Sequence, residues 1–377
     1  MTTNPIRSAS ASRPRPAGPS GFNAIAQWLY QNLFSSWSNA CLTLLGGALA
    51  YWVIAGFLDW AVWHAVYAGT DGSACNAAGA GACWPFVTAK FQIFMYGRYP
   101  TEEIWRVNLT YILALAGLVP LMLPGVPGKI WLTAYMLLVF PVVAFFLLTG
   151  VEPLGLPVVP TSRWGGLLVT LVVACVSIAI SFPLGIILAL ARRSELPLIK
   201  WPAIFFIEFV RGVPLVMVLF FASVMLPLFL PEDLTINKLL RALIGVALFS
   251  AAYLAEVVRG GLQAIPRGQF EAAEALGLSY WKTTGLVILP QALKLVIPGI
   301  VNSFIALFKD TSLVLIIGLF DLLGIVQQAV ASDANWFSPQ TAATGYVFAG
   351  FVFWIFCFGM SRYSAWLERR LSTGHRS

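Results

Sequence analysis

Charge-free stretches occupy residues 39–58, 107–128, 130–151, 164–191 and 342–361, and charge-poor ones 201–230, 242–255 and 295–327. Short polar breaks separate them. A bilayer-spanning helix needs about 20 mostly apolar residues. The pattern therefore predicts an all-α, polytopic membrane protein with about eight transmembrane helices. Gly and Pro within these runs do not exclude helices, because neighbouring helices can satisfy the freed backbone groups. Residues 1–21 are rich in Ser, Pro, Arg and Gly. They cannot build a core and are expected to be disordered, and they lack the apolar region of a signal peptide. Phe22, Ile25, Trp28, Leu29, Leu33 and Phe34 follow at helical spacing, which suits a helix along the membrane surface before the first span.

Composition agrees with this pattern. Of 377 residues, 59% are hydrophobic and 10% charged, against about 25% charged in soluble proteins, and the mean hydropathy is +0.82. A net charge of +7 would ordinarily suggest nucleic acid, but its placement gives a simpler reading. With the N-terminus inside and eight crossings, most Lys and Arg fall inside, and Lys90, Arg98, Arg106, Arg163, Lys238 and Arg241 fall outside. This bias is the positive-inside rule and implies that both termini are cytosolic.

Four segments follow: 1–21, a disordered cytosolic N-terminus; 22–160, a front section with three spans and a long outside loop; 161–367, a five-span core; and 368–377, a cytosolic tail. Pro153, Pro157 and Pro160 stiffen the connector between the two membrane sections. The loop at 68–106 carries Trp84, Phe86, Phe91, Phe94, Tyr96, Tyr99 and Trp105, too aromatic for a disordered linker, and is expected to pack on the membrane surface or on a partner. Cys75 and Cys83 share this loop; an oxidising compartment would let them pair, the alternative being two free thiols. Cys41, Cys175 and Cys357 sit in apolar runs as small core residues.

The most informative stretch is 271–290. Glu271, Ala272, Ala273, Glu274, Ala275 and Leu276 are helix formers or helix-compatible. Gly277 suits a helix stop with positive φ, Ser279 an N-cap, and Pro290 marks re-entry into the membrane. Two alanines permit close approach by another backbone while Glu271 and Glu274 present charge. The spacing of Glu271-Ala272-Ala273, Gly277, Val287 and Leu289-Pro290 resembles the EAA loop of bacterial ABC-transporter permeases, with Val287 in place of the usual Ile. An ordinary helical cytosolic loop is the plain alternative.

Three further segments, 208–215, 252–260 and 308–314, resemble the polar amino-acid uptake branch of those permeases. The length, extra front spans and aromatic loop resemble the larger subunit of general L-amino-acid permeases. The resemblance implies a five-helix type I importer core in the bacterial inner membrane. It implies a second homologous permease, two ATP-binding subunits and a periplasmic amino-acid-binding protein as partners, with the lipid bilayer as solvent. The cargo would be an L-amino acid, moved inward by alternating access. This chain would bind no cofactor; ATP and Mg would be used by the ATPase partner. An opine or another small nitrogen compound is the alternative cargo, and an ion-coupled secondary transporter the alternative mechanism.

Ionisable residues inside apolar runs are candidate path residues. Glu208 and Arg211 share a helix face at i, i+3 and fit either a polar face on the substrate path or a structural pair. Glu256 and Arg259 repeat the spacing and read as a structural pair at the start of the coupling loop. Residues 295–327 would make a helix of about 50 Å, longer than the hydrocarbon core, so a break is expected at Lys309, Asp310, Thr311 and Ser312. There Asp310 would take an ammonium, and Lys309, Ser312 and Asn302 a carboxylate; an internal Lys309–Asp310 pair is the alternative. No P-loop occurs, and His64 and His375 leave little material for a metal site or a catalytic triad.

Overall fold

The computed structural model describes residues 22–229, 231 and 236–372. The disorder expected of 1–21, and the end of the tail from 373, lie outside them. The described residues are almost wholly helical, with only isolated β-bridges. The chain divides into two compact units, the second starting at Val66. The boundary expected near 160 is therefore not where the packing divides, because residues 66–160 fold onto the core.

The first unit holds α1 (Phe22–Leu33) and α2 (Trp37–Leu58), which runs on into a π-turn at Asp59–Trp63. Ser36 caps α2 by accepting from the Asn39 N–H at 3.2 Å, and Thr43 donates to the Leu33 carbonyl at 2.9 Å. No residue of Trp37–Leu58 is buried. Such an apolar helix needs lipid or another chain as its solvent.

The second unit begins with α3 (Trp84–Tyr96), α4 (Ile104–Met122) and a run at Lys129–Thr149, α5. The core follows: α6 (Gly166–Arg192), α7 (Pro197–Gly212), α8 (Leu215–Phe229), α9 (Lys238–Gln263), α10 (Arg267–Ala275), α11 (Tyr280–Ile317), α12 (Leu322–Ser332) and α13 (Pro339–Ser372). Among the described residues seven helices could cross a membrane, or eight when α7 and α8 count as one. That pair is the expected span 201–230, but it bends by 106°. Gly212 ends α7, Pro214 cannot donate a helical hydrogen bond, and Val213 is extended. The last helix runs on to Ser372, past the expected start of the tail.

α6 and α9 form the centre. A Cβ on Gly185 would stand 2.8 Å from the Leu254 side chain, and one on Gly261 2.6 Å from the Ala292 carbonyl. Small residues at such crossings let helix backbones approach closely, which is how membrane helices gain van der Waals contact. Ala189, Ala255, Val258, Leu262, Ile288 and Ala292 bury one another around the second crossing.

The aromatic loop packs on this chain itself, contrary to the expected membrane surface or partner. Cys75 and Cys83 form a disulfide. Phe86 and Phe94 are buried with Leu322, Ile325 and Trp336. Lys90 pairs with Asp333 at 2.5 Å, and Gly72 donates to the Asn335 carbonyl at 2.7 Å. The apolar face of α3 finds α6, α12 and α13 as its partners. Arg106 is fully buried: it lies 3.1 Å from Glu103, donates to the Pro157 carbonyl at 3.0 Å and sits over the Tyr99 ring.

Candidate functional site

Helix α10 is short and polar, and it ends in a defined stop. Leu278 donates to the Ala273 carbonyl at 3.1 Å and Gly277 to the Glu274 carbonyl at 2.8 Å. These two bonds make a Schellman motif. Gly277 has φ +72°, and a Cβ there would meet nothing within 4 Å. Glycine is needed for its backbone conformation, because the left-handed region costs other residues about 1–2 kcal/mol.

The loop is anchored on one side and open on the other. Ala273 is buried, Gln291 donates to Gln269 at 3.0 Å, and Arg193 lies over the Phe270 ring at 5.8 Å. Glu271, Ala272, Glu274, Ala275, Leu276, Tyr280 and Trp281 are exposed. Only Ala272 of the two central alanines thus remains open to another chain; Ala273 seats the helix on its own core. Ser279 stands at the N-cap but makes no side-chain cap bond. No separate second helix precedes Pro290. One run, α11, passes through it, with a π-segment at Thr283–Ile288 directly upstream. A wider turn is a known accommodation where a helix carries a proline. Leu289 is half-buried and Pro290 exposed.

A five-residue charge cluster lies beside the loop. Arg192 of α6 sits 2.8 Å from Glu208 of α7 and 2.7 Å from Glu256 of α9. Arg259 approaches Glu256 at 2.7 Å, and Arg211 approaches it at 3.8 Å while lying over the Tyr253 ring. The expected Glu208–Arg211 pair does not form: Glu208 turns to the neighbouring helix, and Arg211 takes the aromatic face and the outer edge of Glu256. Sequence reasoning missed Arg192 as the bridging group. Its place at the end of a charge-free run was the available signal.

The polar quartet does not interrupt α11. The α-geometry ends at Asp310, but a 3₁₀ turn carries the run through Thr311–Ile317 and the stop falls at Gly318, φ +73°. Thr311 and Ser312 donate back to the carbonyls of Phe308 and Lys309 at 2.8 and 2.9 Å. These i−3 bonds tighten the turn without breaking it. Thr311 is fully buried, Asp310 and Ser312 are half-buried, and Asn302, Ala306 and Lys309 are exposed. The last three follow helical spacing and form a stripe that no described residue covers.

Residues 181–373 match the family of binding-protein-dependent transport system inner membrane components. The chain is 52% identical over 361 residues, 96% of both chains, to the inner membrane amino-acid ABC transporter permease protein YhdY of Escherichia coli K12. It is 39% identical over 429 residues to the glutamate/glutamine/aspartate/asparagine transport system permease protein BztC of Rhodobacter capsulatus, covering 96% of this chain and 97% of that one. A crystal structure of an amino acid ABC transporter with histidines is 30% identical, with 54% of this chain and 92% of that chain covered and a TM-score of 0.48. The chain belongs to the binding-protein-dependent permease family, which carries the EAA motif. It is a membrane subunit of a larger ABC transporter and not the enzyme of that assembly.

Proposed function

We propose that this chain is a permease subunit of an ATP-driven importer that moves L-amino acids from periplasm to cytoplasm. It would lie in the bacterial inner membrane with both termini cytosolic. A second homologous permease, two ATPase subunits that bind ATP and Mg, and a periplasmic amino-acid-binding protein complete the transporter. The observation that carries this reading is α10: a helix with an acidic, small-residue face open to solvent and the opposite face anchored on α6 and α11.

ATPase closure would push α10. Its links through Arg193–Phe270 and Gln269–Gln291 would carry that displacement into α6 and α11. The charge cluster of Arg192, Glu208, Arg211, Glu256 and Arg259 joins α6 to α7 and α9 and would favour one of the two states. ATP supplies the differential interaction that alternating access requires. The uncovered stripe at Asn302, Ala306 and Lys309 would face the second permease and, with Asp310, Thr311 and Ser312, line the amino-acid path. Reconstitution with the four partner subunits tests the reading. Uptake of labelled amino acids should require ATP and the binding protein; uptake driven by an ion gradient without any ATPase would overturn it.

A further inference from the structure

A cavity of about 390 Å³ opens at the end of the core opposite α10. Sites for small molecules fall at about 300–1,000 Å³. Arg98, Ser162, Trp164, Asn237, Lys238 and Gly318 line it. The walls are built by close backbone contacts. Gly97 bridges Trp164, and a Cβ on Gly97 would stand 2.3 Å from the Gly165 nitrogen; this crossing fixes Arg98 at the rim. Thr161 and Asn237 hydrogen-bond each other at 2.7 Å, which ties the 3₁₀ turn at Thr161–Arg163 to the start of α9.

The electrostatics are one-sided. The lining holds two cations and no carboxylate. Neither Arg98 nor Lys238 makes an ion pair or a side-chain hydrogen bond among the described residues. Lys238 is also the first residue of α9, where the positive end of the helix dipole disfavours a cation and favours an anion. A cation there without a partner among the described residues adds nothing to their packing, but it deepens a positive field in a cavity that Arg98 already charges.

We propose that this cavity is a vestibule subsite for the carboxylate of a free amino acid, with anionic amino acids favoured over cationic ones. The inference rests on the importer reading above, which puts this end of the core on the periplasmic side. Lining residues Gly318 and Phe320 directly follow the 3₁₀ turn that begins with Thr311 and Ser312, so the subsite stands at the outer end of the proposed path. Arg98 and Lys238 hold the carboxylate, and the indole and backbone walls limit the ligand to small-molecule size.

The test uses the reconstituted transporter with R98Q/K238Q and R98K/K238R. Uptake of glutamate, glutamine and arginine is measured in competition, in vesicles of phosphatidylcholine alone and of phosphatidylcholine with phosphatidylglycerol. Losing charge-assisted bonds of this kind lowers the glutamate-to-arginine uptake ratio about tenfold or more; R98K/K238R restores it, in both lipids. Glutamate brings a second carboxylate to the two cations and arginine a repelled guanidinium, so the loss must be unequal; an equal loss for all three amino acids overturns the inference, because it marks a structural role or a docking site for the binding protein. A ratio that changes only in phosphatidylglycerol also overturns it, because the occupant is then a lipid phosphate. Absence of ATP-dependent uptake by the unmodified transporter would instead remove the importer reading itself.

Discussion

Arg192 and Glu256 are 2.7 Å apart and join α6 and α9 towards the ends that lead into α7 and α10. Glu256 is the more important partner, since three arginines converge on its two oxygens and its side chain is only 15% exposed. Removing one member of a buried charge set leaves the others uncompensated. Glu256→Gln is expected to destabilise the chain by about 2–3 kcal/mol. Glu208 is 55% exposed, so Glu208→Gln should cost about 1 kcal/mol or less. Thermal unfolding of the two variants in one detergent checks the order; equal losses would contradict the central place of Glu256.

Gly277 and Gly268 make a controlled pair at the two ends of α10. Neither has an atom within 4 Å of a would-be Cβ, but only Gly277 has positive φ. Gly277→Ala should cost about 1 kcal/mol or more and loosen the turn after the helix. Gly268→Ala should be neutral or stabilising by up to about 1 kcal/mol, since it lowers the entropy of the unfolded chain. In the assembled transporter, substrate-stimulated ATP hydrolysis should fall with Gly277→Ala alone, and Gly277→Asn should recover part of it, because Asn tolerates the left-handed region.

Asp321 caps α12 by accepting from the Gly324 and Leu323 N–H groups at 2.9 and 3.2 Å. Burial outweighs those bonds and pushes its carboxyl up from 3.8 to about 6. A carboxyl raised in the folded state contributes stability that is present below its unfolded value and lost as pH rises through 6. Asp321→Asn keeps the acceptor and removes the charge. It should stabilise the chain relative to wild type at pH 8, by an amount on the order of 3 kcal/mol read as a higher Tm, and the gap should close as pH falls towards 4. Asp321→Ala, which loses the cap, should be less stable than Asp321→Asn by about 1 kcal/mol. A Tm difference between wild type and Asp321→Asn that does not vary with pH would contradict this reading.

The helical membrane fold was legible in the sequence because long apolar runs have few alternatives to helix in lipid. The glycine stop was legible as well: helix formers ending at Gly277 need only local rules. The partners of Glu208 and Arg211 were not legible, since i, i+3 spacing says which residues share a face and not which neighbouring helix presents a better ligand. Arg192, 16 positions earlier in the chain, wins Glu208 through tertiary packing. The aromatic loop was misplaced for the same reason, its helix α3 being covered by α12 and α13, far along the chain. Residues 309–312 were read as a break from length alone; Thr311 and Ser312 instead use their hydroxyls to tighten the helix, and the stop waits for Gly318.

In the proposed transporter α10 is the surface on which a cytosolic ATPase acts. A photo-reactive amino acid at Ala272, the open member of its alanine pair, tests it in the assembled transporter. Irradiation should give one adduct, between this chain and an ATP-binding subunit, and its yield should change when ATP is added. Adducts formed only with lipid or with the periplasmic binding protein would contradict the claim.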